Sequence, residues 1–188
     1  MRVIFLMPMK KTNREIFDEL PADEYFKSVE AAAKVFRDMA EFPGSLDFNE
    51  QTGGFLVLHR FHAPSGFEYE IPVCAFLKIK GFRVILAEEL PNQKSADAEV
   101  DGIVFEIKQI ARAKNLTRAV LHQLRNAYHK CDNILLHIAQ PVRGEQVRNA
   151  LSVGLKTYPS IKLVLIVVNG QMYKLDRVTI LKRQYRIS

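Results

Sequence analysis

The dipeptide Asp101-Gly102 constrains this chain more than any other feature, because it sits at the centre of an alternating run from Lys94 to Gln109. Asp-Gly suits a two-residue type I′ turn, whose central residues both need positive φ. A turn there sets the register of the strands beside it: Val100 faces Ile103, Glu99 faces Val104, Ala98 faces Phe105, and Asp97 faces Glu106. Period-two alternation then sorts the side chains. Ala98, Val100, Ile103, Phe105 and Ile107 form an apolar core face. Asp97, Glu99, Val104, Glu106 and Lys108 share the other.

That second face puts two carboxylates beside an ammonium. Two close anions resist joint ionisation unless a cation sits between them, and a hard divalent ion, Mg²⁺ or Mn²⁺, is the natural occupant. The hairpin alone is equally compatible with a solvent-facing strand and an Asp97–Lys108 surface ion pair. Two helices tilt the balance. Around Tyr69–Lys80 an apolar stripe of Phe67, Val73, Cys74 and Leu77 has Glu70 in its middle, and around Thr117–Lys130 a stripe of Leu116, Ala119, Val120, Leu124 and Ala127 has Gln123 near its centre. Each inward polar group needs a partner, and one shared site supplies all of them. Local alternatives stand beside this: Glu70 capping its own helix, Gln123 bonding a sheet edge.

The rest of the chain reads as an α/β domain with a mixed sheet and an N-terminal helical element. Lys10–Phe42 has helical spacing, with Asp23 as a cap and Pro43-Gly44-Ser45 as a stop. Leu46–Gly53 is polar and turn-rich, which suggests a soft boundary: residues 1–50 as the helical element, 51–188 as the main domain. Strands are expected at Phe55–His62, Phe82–Ala87, Asn133–Ala139 and Ile161–Val168. A helix at Arg143–Lys156 and a short strand Gln171–Leu175 beyond an Asn169-Gly170 turn complete the set. Pro72 is tolerated only in a first helical turn, placing that helix start near Tyr69.

The 188 residues, 48% of them hydrophobic, suffice for one well-buried core. Lys and Arg number 27 against 21 Asp and Glu, a net charge of +6 that favours polyanions. Cys74 and Cys131 read as buried thiols, which disfavours a disulfide framework or a cysteine zinc site. The apolar opening Met1–Met9 is too short for a signal-peptide core with its flanks, and no later stretch is long enough to span a bilayer, so a cytoplasmic chain with no membrane partner is expected.

The ordered set Asp97 and Glu106-Ile107-Lys108 resembles the PD-(D/E)XK nuclease superfamily, with Ala96 where the family's name-giving proline would stand. Gly53-Gly54, Glu70, Gly81-Phe82-Arg83-Val84, Lys94-Ser95-Ala96-Asp97, Val100-Asp101-Gly102, Phe105–Lys108 and Ala127–Ile138 resemble, more narrowly, the C-terminal tRNA nuclease toxin domains of contact-dependent growth inhibition and related polymorphic toxins. The resemblance covers about Gly53–Ala139. It implies an αβββαβ restriction-endonuclease-like core, RNA as substrate, a cognate immunity protein as partner, and delivery or secretion if the chain is a toxin.

On this basis Glu70, Asp97 and Glu106 are the expected metal ligands, and Lys108 and Gln123 the residues that position water and phosphate. Glu99 is a weaker candidate. Arg112, Lys114, Arg118 and Arg125, with the tail residues Arg177, Lys182, Arg183 and Arg186, are available to a nucleic-acid backbone, although a solvated helix face explains them equally. His59, His62, His122, His129 and His137 read as core or surface histidines. The competing functions are DNA cleavage, an inactive nucleic-acid-binding module, and an interaction protein with an acidic partner.

Overall fold

The computed structural model describes residues 44–48, 51–58, 62, 67–87 and 96–187. The expected helix at Lys10–Phe42 and His59 lie outside them. The chain is mixed α/β and forms two compact units, Met1–Ile103 and Val104–Ser188.

In the first unit, β1 (Gly44–Phe48) pairs antiparallel with β2 (Phe55–Leu58), which pairs parallel with β3 (Arg83–Leu86) through α1 (Phe67–Ile79). β3 in turn pairs antiparallel with β4 (Ala98–Val100), Val84 opposite Val100 and Leu86 opposite Ala98. Phe55–Leu58 is buried throughout, as befits a short strand covered on both faces. α1 lays Ile71, Val73, Cys74 and Leu77 into the core. It starts two residues before the expected Tyr69, so Pro72 lies in its second turn, at the cost of one backbone N–H. β1 corrects the reading of its segment as a turn. No apolar run announces it; backbone pairing with β2 makes it a strand.

Asp101 and Gly102 follow β4 with φ of 49° and 80°, the positive pair that a type I′ turn requires. Asp101 is anchored to β3: its N–H donates to the Arg83 carbonyl at 2.9 Å, and its Oδ1 accepts the Arg83 N–H at 3.0 Å.

The second unit is built on β5 (Ile103–Ile110), β6 (Asn133–Ile138) and β7 (Leu163–Val168), all parallel, closed by antiparallel β8 (Gln171–Asp176). Asn169-Gly170, with φ of 50° and 69°, makes the expected tight turn between the last two. α2 (Leu116–Ala127), capped by Asn115 Oδ1 on the Arg118 N–H at 2.9 Å, and α3 (Gly144–Thr157) pack on the sheet face bearing Ile110, Ile134, Leu136, Ile138, Val164 and Ile166. The opposite face, with Phe105, Ile107, Leu135 and Leu165, is equally buried.

A short helix, α4 (Arg177–Leu181), occupies what reads in sequence as a basic tail. Asp176 caps it, accepting the Thr179 N–H at 2.8 Å, and Ile180 is buried. Arg177 is no polymer contact here: its Nη1 donates to the Leu155 and Tyr158 carbonyls at 2.6 and 3.3 Å and so closes the C-terminus of α3.

Candidate functional site

Parallel pairing sets Glu106 beside Ile134, Lys108 beside Leu136 and Ile110 beside Ile138, so the Glu106 and Lys108 side chains project into the face that α2 covers. Glu106 is 0% exposed. A carboxylate taken that far from water is driven toward its neutral form unless cations and donors compensate it. Two do so. Lys108 Nζ donates to Glu106 Oε1 at 2.6 Å and to the Ile107 carbonyl at 2.9 Å, and Lys130 Nζ reaches the same Oε1 at 3.0 Å. The Lys108 side chain is 19% exposed and that of Lys130 41%, so both ammoniums bridge the interior carboxylate and the solvent side. Glu106 is therefore no part of a solvent-facing strand. Phe105, Glu106 and Ile107 are buried in succession, a pattern that a strand covered on both faces produces and a one-sided hairpin does not.

Gln123 points from α2 onto β5, and its Nε2 donates to the Gln109 carbonyl at 3.1 Å. That bond is the sheet partner anticipated as the local alternative, and it also holds the side chain one residue from Lys108. Gln109 Nε2 lies 3.1 Å from His137 Nδ1. An amide nitrogen donates, so His137 carries its proton on Nε2, and burial holds its pKa below the usual value.

In the first unit Glu70 is buried on α1, with Oε2 2.6 Å from His62 Nε2. His62, also buried, has Nδ1 2.7 Å from the Ala87 carbonyl. A carbonyl only accepts, so Nδ1 is protonated, and the Nε2–Oε2 contact holds one further proton shared between imidazole and carboxylate. Ala87 ties in Asp97 as well, since its N–H donates to the Asp97 carbonyl at 2.9 Å. Asp97 is buried at the start of β4. Glu70 and Asp97 both act on Cys74: burial first, then these two carboxylates, push its thiol well above the ordinary cysteine range. Glu99 is half-buried opposite Ile85.

Of the five residues expected from the sequence, Glu70, Glu106, Lys108 and Gln123 stand on helices or strands and Asp97 directly precedes β4. Glu106 and Lys108 meet in the second unit, where Gln123 bonds the neighbouring Gln109 carbonyl, and Glu70 and Asp97 share the neighbourhood of Cys74 in the first. Two polar residues escaped the sequence reading. Lys130 falls just beyond an amphipathic helix and carries no local mark of a buried partner. His62 reads as a core or surface histidine, and its burial matches the first, but its bond to Glu70 joins residues eight apart that no periodicity links. Cys74 is buried as expected, whereas Cys131 is half-exposed. Among the described residues no three His, Cys, Asp or Glu side chains stand together in metal-holding geometry, and no helix is long and apolar enough to cross a membrane.

Residues 94–172 match the family model described as the contact-dependent growth inhibition CdiA C-terminal domain. The match takes in Asp97, Glu106, Lys108, Gln123 and Lys130, leaves out Glu70, and spans less than half of the chain. Among solved structures the chain is similar to a CdiA-CT/CdiI toxin and immunity complex from Burkholderia pseudomallei, at 17% identity and a TM-score of 0.43, over 60% of this chain and 85% of that one. No curated protein matches the chain.

Proposed function

We propose that this protein is a metal-dependent nuclease that hydrolyses phosphodiester bonds of RNA, with tRNA as the first substrate to test. It acts as a delivered toxin domain held in check by a cognate immunity protein. One observation carries the reading: Glu106 is a wholly buried carboxyl group in contact with the ammoniums of Lys108 and Lys130, inside the segment that matches a toxin-domain family. A fold with no use for that charge gains as much from an apolar pair of similar volume. Functional sites are where such costs are retained.

Glu70, Asp97 and Glu106 offer hard carboxylate oxygens, the donor set that suits Mg²⁺ or Mn²⁺. A bound divalent ion supplies Lewis-acid activation of the phosphodiester and of water. Lys108 then holds the attacking water and offsets charge as the new P–O bond forms and the ester P–O bond breaks, and the leaving oxygen takes up a proton. Gln123, held by Gln109, directs its remaining amide atoms toward phosphate or water. His62 fixes the Glu70 carboxylate from behind.

The test is incubation with tRNA, total RNA and duplex DNA, with and without Mg²⁺ or Mn²⁺. Metal-dependent cleavage of RNA is expected, abolished in Lys108→Ala with the fold intact, and Asp97→Ala should lose metal binding by calorimetry. Cleavage of DNA alone would reassign the substrate. No cleavage of any of the three would overturn the nuclease reading.

A further inference from the structure

The positive charge of this chain is concentrated in one place. Residues 107–131 contain Lys108, Arg112, Lys114, Arg118, Arg125 and Lys130 and no Asp or Glu. Without those six, 21 of the 27 basic residues remain against 21 acidic ones, so this segment accounts for the whole net charge of +6. Its centre is α2. Leu116, Val120, Leu124 and Ala127 of that helix are buried, and Arg118, His122 and Arg125 are exposed on the far side, within about 60° of one another at 100° per residue. Arg112 and Lys114, also exposed, lead into it.

A solvated helix face mixes both signs and pairs them at i, i+4, which lowers its self-repulsion. α3 carries both signs, with Glu145 three residues before Arg148. α2 does not. Among the described residues Arg112, Lys114, Arg118 and Arg125 have no carboxylate partner, in contrast to Lys162 on Asp132 and Arg83 on Asp101. The face also lacks an apolar anchor: among the described residues the exposed large hydrophobic ones are Tyr69, Ile79, Val104, Val153 and Val178, none of them on α2. Protein interfaces are organised around such anchors, whereas phosphate docking needs cations and donors. The seven residue steps from Arg118 to Arg125 rise about 10 Å, a length over which a duplex carries on the order of six phosphates. Beyond the helix the chain runs to Lys130, whose ammonium sits on Glu106.

We propose that the Arg118–His122–Arg125 face of α2 docks the phosphate backbone of the nucleic acid, an inference that rests on the nuclease reading for the identity of that polymer. The test measures binding of fluorescently labelled tRNA in EDTA as a function of salt for the wild type, Arg118→Gln/Arg125→Gln, and a control with equal charge loss, Lys156→Gln/Lys174→Gln. Loss of two phosphate contacts lowers the slope of log affinity against log salt by about 1.4 for single strands to about 1.8 for duplex. The affinity lost between roughly 50 and 200 mM salt then shrinks about tenfold, while the control keeps the wild-type slope. An unchanged slope, an equal fall in the control, or no binding of tRNA by the wild type overturns the proposal. Cleavage by the wild type in Mg²⁺ is scored separately: cleavage with an unaltered slope removes the docking face and leaves the nuclease, and an altered slope without cleavage does the reverse.

Discussion

Replacing Glu106 by Gln preserves the shape of the side chain and removes the charge that Lys108 and Lys130 share. At an effective dielectric constant of about 20, ion pairs at the observed 2.6 and 3.0 Å are each worth roughly 5–6 kcal/mol before desolvation. The desolvation of a fully buried carboxylate offsets much of that, and removing one partner of a buried pair typically costs about 3–5 kcal/mol. Here the lysines are 19% and 41% exposed, so water recovers part of the loss and about 2–4 kcal/mol is the expected destabilisation. In urea denaturation followed by far-UV circular dichroism, that lowers the midpoint by about 1–2 M at an m-value near 2 kcal/mol/M. Lys130→Met, whose ammonium is the more exposed, should cost under about 1 kcal/mol. Glu106→Leu/Lys108→Met should recover most of the stability lost in Glu106→Gln, because it removes both charges together. An unchanged or raised midpoint for Glu106→Gln would refute the reasoning, since desolvation would then outweigh both lysines.

Three further outcomes follow from the packing. Burial lowers the His137 pKa from its ordinary 6.5, so between the lowered value and 6.5 the unfolded chain binds more protons and stability rises with pH; acidification from about pH 7 to about pH 5 should cost stability, and His137→Gln should flatten that slope in pH-dependent urea melts. A Cβ on Gly54 would fall on the Lys78 carbonyl oxygen, a backbone atom that cannot swing aside, so Gly54→Ala should lower the thermal midpoint clearly, by about 2 kcal/mol or more, and a neutral result would show that α1 shifts freely against this turn. Arg177→Ala should cost about 1 kcal/mol through the uncapped α3 carbonyls, read as faster amide exchange in the last turn of that helix.

Much of the architecture was legible from local chemistry. Asp101-Gly102 and Asn169-Gly170 both adopt the paired positive φ that their composition demands. Val73, Cys74 and Leu77 of the α1 stripe and Leu116, Val120, Leu124 and Ala127 of the α2 stripe are buried, Ala119 partly so, and Glu70 and Gln123 do point inward. β1 and α4 were not legible. The first depends on a partner strand and the second on an Asp176 cap in a segment whose charges suggest a tail.

Sequence by itself determined the positions where chemistry is written into neighbouring residues: the turn, the alternation along β5, the carboxylate and lysine two residues apart. Tertiary structure decided what those groups meet. That Glu106 is sealed from water and answered by a second lysine from beyond α2, that Glu70 meets His62, and that Arg177 closes a helix are outcomes of packing between distant segments. The periods of 2 and 3.6 residues state which way a side chain points; only the assembled core sets the dielectric around it and the partner it finds.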